Sequence, residues 1–267
     1  MSTTEWQRLL ADPGPDGHIV QLYQDPNFYG EAISHFAAEG LVRGESIILV
    51  ATHPNWLNIS QHLQSKGFDI PELFDRGQLT LLDAEETLPK FMNAGMPDGK
   101  IFKPLARDTI RRARQDGRYP AVRWWGEMVN VLYVDGKPQA SNRLEEFFDE
   151  VAHEETIAIF CSFLMDKYDP AIYDEAFGNV CRTHSHLIPT RDYASHREAI
   201  NRAITDVLGP IQGPLLRSLT SWSGEISGMP SSQAMLLWVK ETMPRRFGEV
   251  LERAKRYEQS PDTVGSA

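Results

Sequence analysis

Cysteine is scarce in this chain: Cys161 and Cys181 are the two thiols among 267 residues. That excludes a disulfide-stapled scaffold and makes a reducing cytoplasm the expected compartment. No apolar run reaches membrane-spanning length. The first residues are polar, with Trp6 and Leu9-Leu10 interspersed, so neither a transmembrane helix nor a signal peptide is expected. Basic charge is also short. Lys and Arg number 27 against 37 Asp and Glu, a formal charge of -10, which leaves no surplus to displace counterions from a nucleic-acid backbone. The one basic run, Arg107, Arg111, Arg112 and Arg114, has helical spacing beside Asp108 and Asp116 and reads as a solvated helix face. Internal repeats and low-complexity segments are missing too.

Catalytic signatures are equally sparse. A phosphate-cradling loop needs G-x-x-x-x-G-K-[ST] between a strand and a helix. After the first expected strand stands Gln24-Asp-Pro-Asn-Phe-Tyr-Gly-Glu31, with two carboxylates and no lysine. Gly99-Lys100 is followed by Ile101 and Gly136-Lys137 by Pro138, so neither supplies the hydroxyl. ATP hydrolysis is not expected. Gly224-Glu-Ile-Ser227-Gly228 carries its serine one place too late for a nucleophile elbow.

What is present is an ordinary globular composition, 41% hydrophobic and 24% charged, enough for one large α/β domain with an appendage. Strands are expected at His18–Tyr23, at Ser46–Ala51 (a continuous apolar run, as in a strand buried on both faces), at Gln78–Asp83, from Ala121, and at Ile157–Ser162. Helical stripes fall between them, through Ile33 to Leu41, Ile59 to Leu63, Arg107 to Gln115, Ser141 to Ala152 and Tyr173 to His184. Strands alternating with helices imply a mostly parallel central sheet in three layers. Residues 1–17 read as a loose leader and 18–193 as the sheet domain. A helical extension follows over 194–258 and a disordered tail over 259–267. In the extension, Ile200 to Leu208 form one stripe, and Leu215, Leu216, Leu219 and Trp222 a second. Gly224–Ser232 is a flexible link, and Leu236 to Ala254 is one helix kinked at Pro244 or Gly248.

Six landmarks occur in order: His18–Tyr23, Glu39-Gly-Leu-Val-Arg-Gly-Glu45, Gly126-Glu127-Met128, Leu144-Glu145-Glu146, Phe160-Cys-Ser162, and Cys181-Arg-Thr-His-Ser-His-Leu-Ile-Pro189. Together they resemble the MEDS domain, the sensory domain named for methanogens, methylotrophs and a dichloromethane-responsive regulator. The resemblance implies a relative of the RecA/KaiC ATPases without Walker A. It also implies a role in sensing small molecules, hydrocarbon derivatives among them, for attached or partner regulatory modules such as those controlling transcription. No helix-turn-helix and no kinase domain follow Pro189, so neither of those activities is carried over.

Ligands of open α/β sheets bind at the carboxyl ends of strands. That rule nominates Tyr23, Asp25, Thr52, His53, Asp83, Arg123, Glu127, Cys161 and Ser162 as ligand-binding residues. The bland readings beside it are an Arg–Glu pair in an aromatic core, a turn His53, helix-capping Asp83, and Cys161 as a buried, inert thiol. Glu145 is the one inward-facing carboxylate of its helix and the expected partner of Arg123. Cys181, His184 and His186 suggest zinc, but structural sites use paired ligand clusters; capping of a helix C-terminus is the competing reading. The sequence therefore reads as a non-catalytic cytoplasmic sensor without cofactor. It binds a small, apolar ligand and signals through its helical tail to a regulatory partner or to copies of itself. A ligand-free interaction module, a residual nucleotide binder, and a metal- or Cys-dependent enzyme are the alternatives.

Overall fold

The computed structural model describes residues 3–174, 176–216 and 230–260. The chain divides into two compact units, Met1–Leu164 and Met165–Ala267.

The first unit opens with a helix where a loose leader is expected. In α1 (Glu5–Ala11) the Thr4 side chain accepts from the Gln7 amide while the Gln7 side chain reaches back to the Thr4 amide, a reciprocal cap legible in Thr4-Glu-Trp-Gln7. The helix buries Trp6 and Leu10, and Trp6 meets the Phe28 ring edge-on at 5.5 Å. Then come β1 (His18–Tyr23), α2 (Pro26–Val42), β2 (Ser46–Ala51), α3 (His53–Ser65), α4 (Ile70–Asp75), β3 (Leu79–Asp83) and α5 (Ala84–Thr87). A hairpin of β4 (Met92–Asn93) and β5 (Met96–Pro97) precedes α6 (Gly99–Arg114), β6 (Val122–Gly126), α7 (Met128–Val134), α8 (Pro138–Glu155) and β7 (Ala158–Leu164).

Five strands of this unit pair in parallel in the order β3-β2-β6-β7-β1. Every residue of β2 is buried, as its unbroken apolar run requires. Helices cover both faces. On one, α2 lays Phe36 against Phe160 of β7 at 5.3 Å and Tyr29 against Trp125 of β6 at 5.8 Å. On the other, α8 sets Phe148 against Trp124 at 5.8 Å. Side chains alternate along a strand, so Arg123 and Trp125 look toward α2 while Trp124 looks toward α8. The result is a three-layer α/β unit.

In the second unit, α9 (Ala176–Thr183) is shorter than the expected helix, because a 3-10 turn holds Pro170–Tyr173. It is followed by β8 (His186–Ile188), α10 (Tyr193–Leu208) and two helices, Ser231–Thr242 and Pro244–Gln259. The expected single kinked helix is thus two. Met243 leaves helical geometry at φ -134°, ψ 54°, and Pro244 opens a new helix, since proline restricts the residue before it and lacks an N–H to donate. Leu219, Trp222, most of the Gly224–Ser232 link and residues 261–267 lie outside the described residues.

Candidate functional site

At the carboxyl ends of the central strands one carboxylate collects three donors. Glu127 follows β6 and occupies the N-cap of α7, with 1% of its surface exposed. Its Oε1 accepts from the Thr52 amide, and its Oε2 from Asn55 Nδ2 and, at 3.1 Å, from the Tyr29 hydroxyl. Thr52 is the N-cap of α3 but makes no side-chain cap bond. Glu127 therefore caps α3 from another element, setting a carboxylate against the positive end of the helix.

Aromatic groups line this carboxylate. The Tyr23 and Tyr29 rings lie 4.3 Å apart, and Asn130 Nδ2 donates to the Tyr23 hydroxyl at 3.3 Å. Burial, then the Glu127 charge, pushes both phenols well above their ordinary value, so both stay protonated throughout the physiological range. Behind them, Trp125 Nε1 donates to Ser162 Oγ at 3.2 Å, Ser162 to Gln21 Oε1 at 3.3 Å, and Gln21 Nε2 to the Phe28 carbonyl at 3.2 Å. A hydrogen-bonded chain thus ties β6, β7 and β1 to α2.

Tyr23, Thr52, Glu127 and Ser162 belong to this strand-end region. Three other nominated residues do not join its bonding. Asp25 caps α2 by accepting from the Asn27 amide at 2.9 Å, Asp83 caps α5 by accepting from Glu86 N at 2.9 Å, and His53 is exposed in the first turn of α3. Arg123 starts β6 instead of ending it, so it stands roughly 13 Å from Glu127 along the strand. It pairs through Nε with Glu45 and donates to the carbonyls of Leu10 at 2.8 Å, Phe36 at 3.1 Å and Ala11 at 3.0 Å. It locks α1 onto α2, and the expected Arg123–Glu145 pair does not form.

Glu145 does face inward, toward different partners. On the α8 side of the sheet its Oε2 lies 3.3 Å from His18 Nε2, and the Cys161 thiol is 3.5 Å from each. Asp149 Oδ1 stands 3.5 Å from His18 Nδ1. Burial lowers the basicity of His18, but hydrogen bonds to Asp149 and Glu145 outweigh it and lift the imidazole to about 9. Burial, with Glu145 beside it, pushes the Cys161 thiol well up. Cys181, His184 and His186 do not form a group of three mutually close ligand atoms among the described residues. His184 Nδ1 lies 2.7 Å from the Val180 carbonyl at the end of α9, as in the capping alternative, whereas His186 belongs to β8. Burial raises the Cys181 thiol to about 12.

The same unit contains a partly open, mainly apolar cavity of about 210 Å³, with Lys90, Asp108 and Arg112 among its lining residues. Leu82 of β3, Phe91, Phe102 and Ala106 of α6, Trp124 of β6 and Met128 of α7 line it. The Trp124 indole N–H has no hydrogen-bond partner among the described residues.

Sequence reasoning missed Tyr29, Asn55, Asn130 and the His18–Glu145 contact. A signal existed for the last: Glu145 continues the Ser141, Phe148, Ala152 stripe of α8, all of it buried, and His18 heads a strand buried through Leu22. Tyr29, Asn55 and Asn130 carry no such mark, because each acts across elements far apart in sequence.

A comparison with curated proteins gave no match. The family model of MEDS, the MEthanogen/methylotroph, DcmR Sensory domain, matches residues 17–185, a span running from the turn before β1 to the end of α9. The chain belongs to the MEDS family of sensory domains.

Proposed function

We propose that the chain is a non-catalytic sensor of a small apolar molecule, and that the 210 Å³ cavity between β3, α6, β6 and α7 is the seat of that ligand. The cavity is the observation that carries the reading. An apolar hole of about 150 Å³ is large enough to take up benzene, so this one suits a hydrocarbon or halocarbon of that size. The Trp124 N–H, which has no partner among the described residues, offers one weak polar contact for a halogen or oxygen. The strand-end groups favour a supporting role: Glu127 already holds three donors, and a ligand there must replace all of them at a desolvation cost.

Lack of catalysis is supported by Asp25 and Glu31 standing where a phosphate loop needs lysine and hydroxyl, and by a protonated Cys161. The relay is assigned to the second unit, where Ile211 and Leu215 are 81% and 59% exposed and are available to a regulatory partner or a second copy. A ligand transmits only if it favours one arrangement of that unit over another; equal affinity shifts nothing.

The test is thermal unfolding of the chain with a series of benzene-sized hydrocarbons and halocarbons, beside Ala106→Phe, which fills the cavity. At a concentration near one hundred times Kd, stabilisation of about 2.7 kcal/mol is expected for the parent chain and none for the filled variant. Equal shifts in both, or none in the parent chain, would overturn the assignment.

A further inference from the structure

The cluster on the α8 face combines an imidazole, a thiol and a carboxylate, all at most 2% exposed, and neither the apolar cavity nor the Glu127 network uses it. We propose that His18, Glu145 and Cys161 form a binding site for a single divalent transition-metal ion of the zinc class.

Geometry comes first. Tetrahedral zinc with bonds of about 2.0–2.1 Å to nitrogen or oxygen and about 2.3 Å to sulfur separates its ligands by about 3.4 Å for N···O and about 3.5–3.6 Å for pairs with sulfur. The distances here are 3.3 Å for His18 Nε2 to Glu145 Oε2, and 3.5 Å from Cys161 Sγ to each of those atoms. One edge of the tetrahedron is thus already set at each pair. The first unit supplies three of the four ligands that a tetrahedral ion takes.

A second observation concerns His18 itself. A metal-bound imidazole generally gives its other nitrogen to a carboxylate, which fixes the ring and its tautomer. Asp149 Oδ1 stands 3.5 Å from Nδ1, on the side of the ring away from Glu145 and Cys161. Asp149 lies one helical turn after Glu145, so α8 delivers a ligand and the carboxylate that orients its neighbour.

Charge agrees with both. Imidazole, thiolate and carboxylate around a divalent cation sum to zero, the condition under which charge is tolerated in a buried place. As the ion binds, the Cys161 thiol and the His18 imidazolium each release one proton to solvent, leaving thiolate and neutral imidazole as the ligands. The donor set of one sulfur, one nitrogen and one oxygen suits zinc, cobalt(II) or iron(II) and disfavours magnesium and calcium, which demand oxygen shells.

The experiment uses the full chain, stripped with chelator and titrated anaerobically with cobalt(II). One equivalent should give tetrahedral visible bands with a thiolate-to-cobalt charge-transfer band, and zinc should abolish both. Cys161→Ser should lose the charge-transfer band, whereas Cys181→Ser should keep it. Asp149→Asn should weaken cobalt affinity about 10–100-fold while leaving the spectrum tetrahedral. Absence of a charge-transfer band in the parent chain overturns the proposal, as does a band that survives Cys161→Ser and vanishes in Cys181→Ser. If Cys161→Ser does not fold, parent and Cys181→Ser spectra decide it: a band in both supports Cys161, and a band lost in Cys181→Ser contradicts it. None of these readings depends on the apolar ligand.

Discussion

Glu127 shows how much one side chain can organise when its partners come from separate elements. It caps α3, anchors the Tyr29 hydroxyl of α2 and starts α7. Glu127→Gln keeps the shape but weakens three bonds to a charged acceptor, and a hydrogen bond to a charged group contributes about 1.5–3 kcal/mol. A stability loss of about 2 kcal/mol is expected on that scale, with Tyr29→Phe costing about half as much; urea unfolding measures both. A loss under about 0.5 kcal/mol for Glu127→Gln would mean the carboxylate is not the cap. The residue types were legible here but their pairing was not. Arg123 and Glu127 sit four places apart, yet they belong to opposite ends of a strand. The true partner of Arg123, Glu45, lies 78 residues away. Composition marks a residue as polar and buried; only the register of the sheet decides whom it meets.

Among the elements, α2 depends on a missing side chain. A Cβ at Gly40 would stand 2.7 Å from both Arg123 Cδ and Ile47 Cδ1, so the helix passes over β2 and β6 only because nothing projects there. Gly40→Ala gains about 1 kcal/mol of helix propensity but meets an overpacking cost of about 1–3 kcal/mol. We expect a lower thermal midpoint and faster hydrogen exchange in Glu5–Ala11, whose last carbonyls Arg123 binds. A midpoint that rises instead contradicts the packing account. Elements with strong local signals were readable: His18–Tyr23 and Ser46–Ala51 match their apolar runs at both ends. The β4–β5 hairpin was not, because its turn places Ala94 at φ 48° beside Gly95 at φ 83°, and alanine gives no turn signal. The opening helix was overlooked despite its capping box, since a turn-rich segment after it suggested a leader.

At the scale of the whole molecule, the second unit holds a carboxylate that makes stability depend on acid. There Glu258 accepts from Tyr168 and from Lys167 at 3.0 Å, and His196 Nδ1 lies 3.6 Å away. Burial alone raises the Glu258 carboxyl, but the bond with His196 and the charges of Lys167 and His196 overcome it and hold the group at about 2. Its folded value lies below its unfolded one, so its contribution is present above about 4.5 and disappears as pH falls toward about 2. Burial likewise lowers His196, so stability also declines as pH drops below about 6.5, where the unfolded imidazole takes up a proton. Unfolding midpoints recorded between pH 7 and pH 2 should fall in both windows, and Glu258→Gln should flatten the lower one. An unchanged lower window in that variant refutes the assignment.

The claim that this MEDS chain detects small apolar molecules is tested most directly by diffusing a brominated hydrocarbon of benzene size into crystals and locating bromine by anomalous scattering. The account predicts a peak enclosed by Leu82, Phe102, Trp124 and Met128, absent from Ala106→Phe crystals. An empty cavity at saturating ligand, or a bromine site elsewhere on the chain alone, contradicts it.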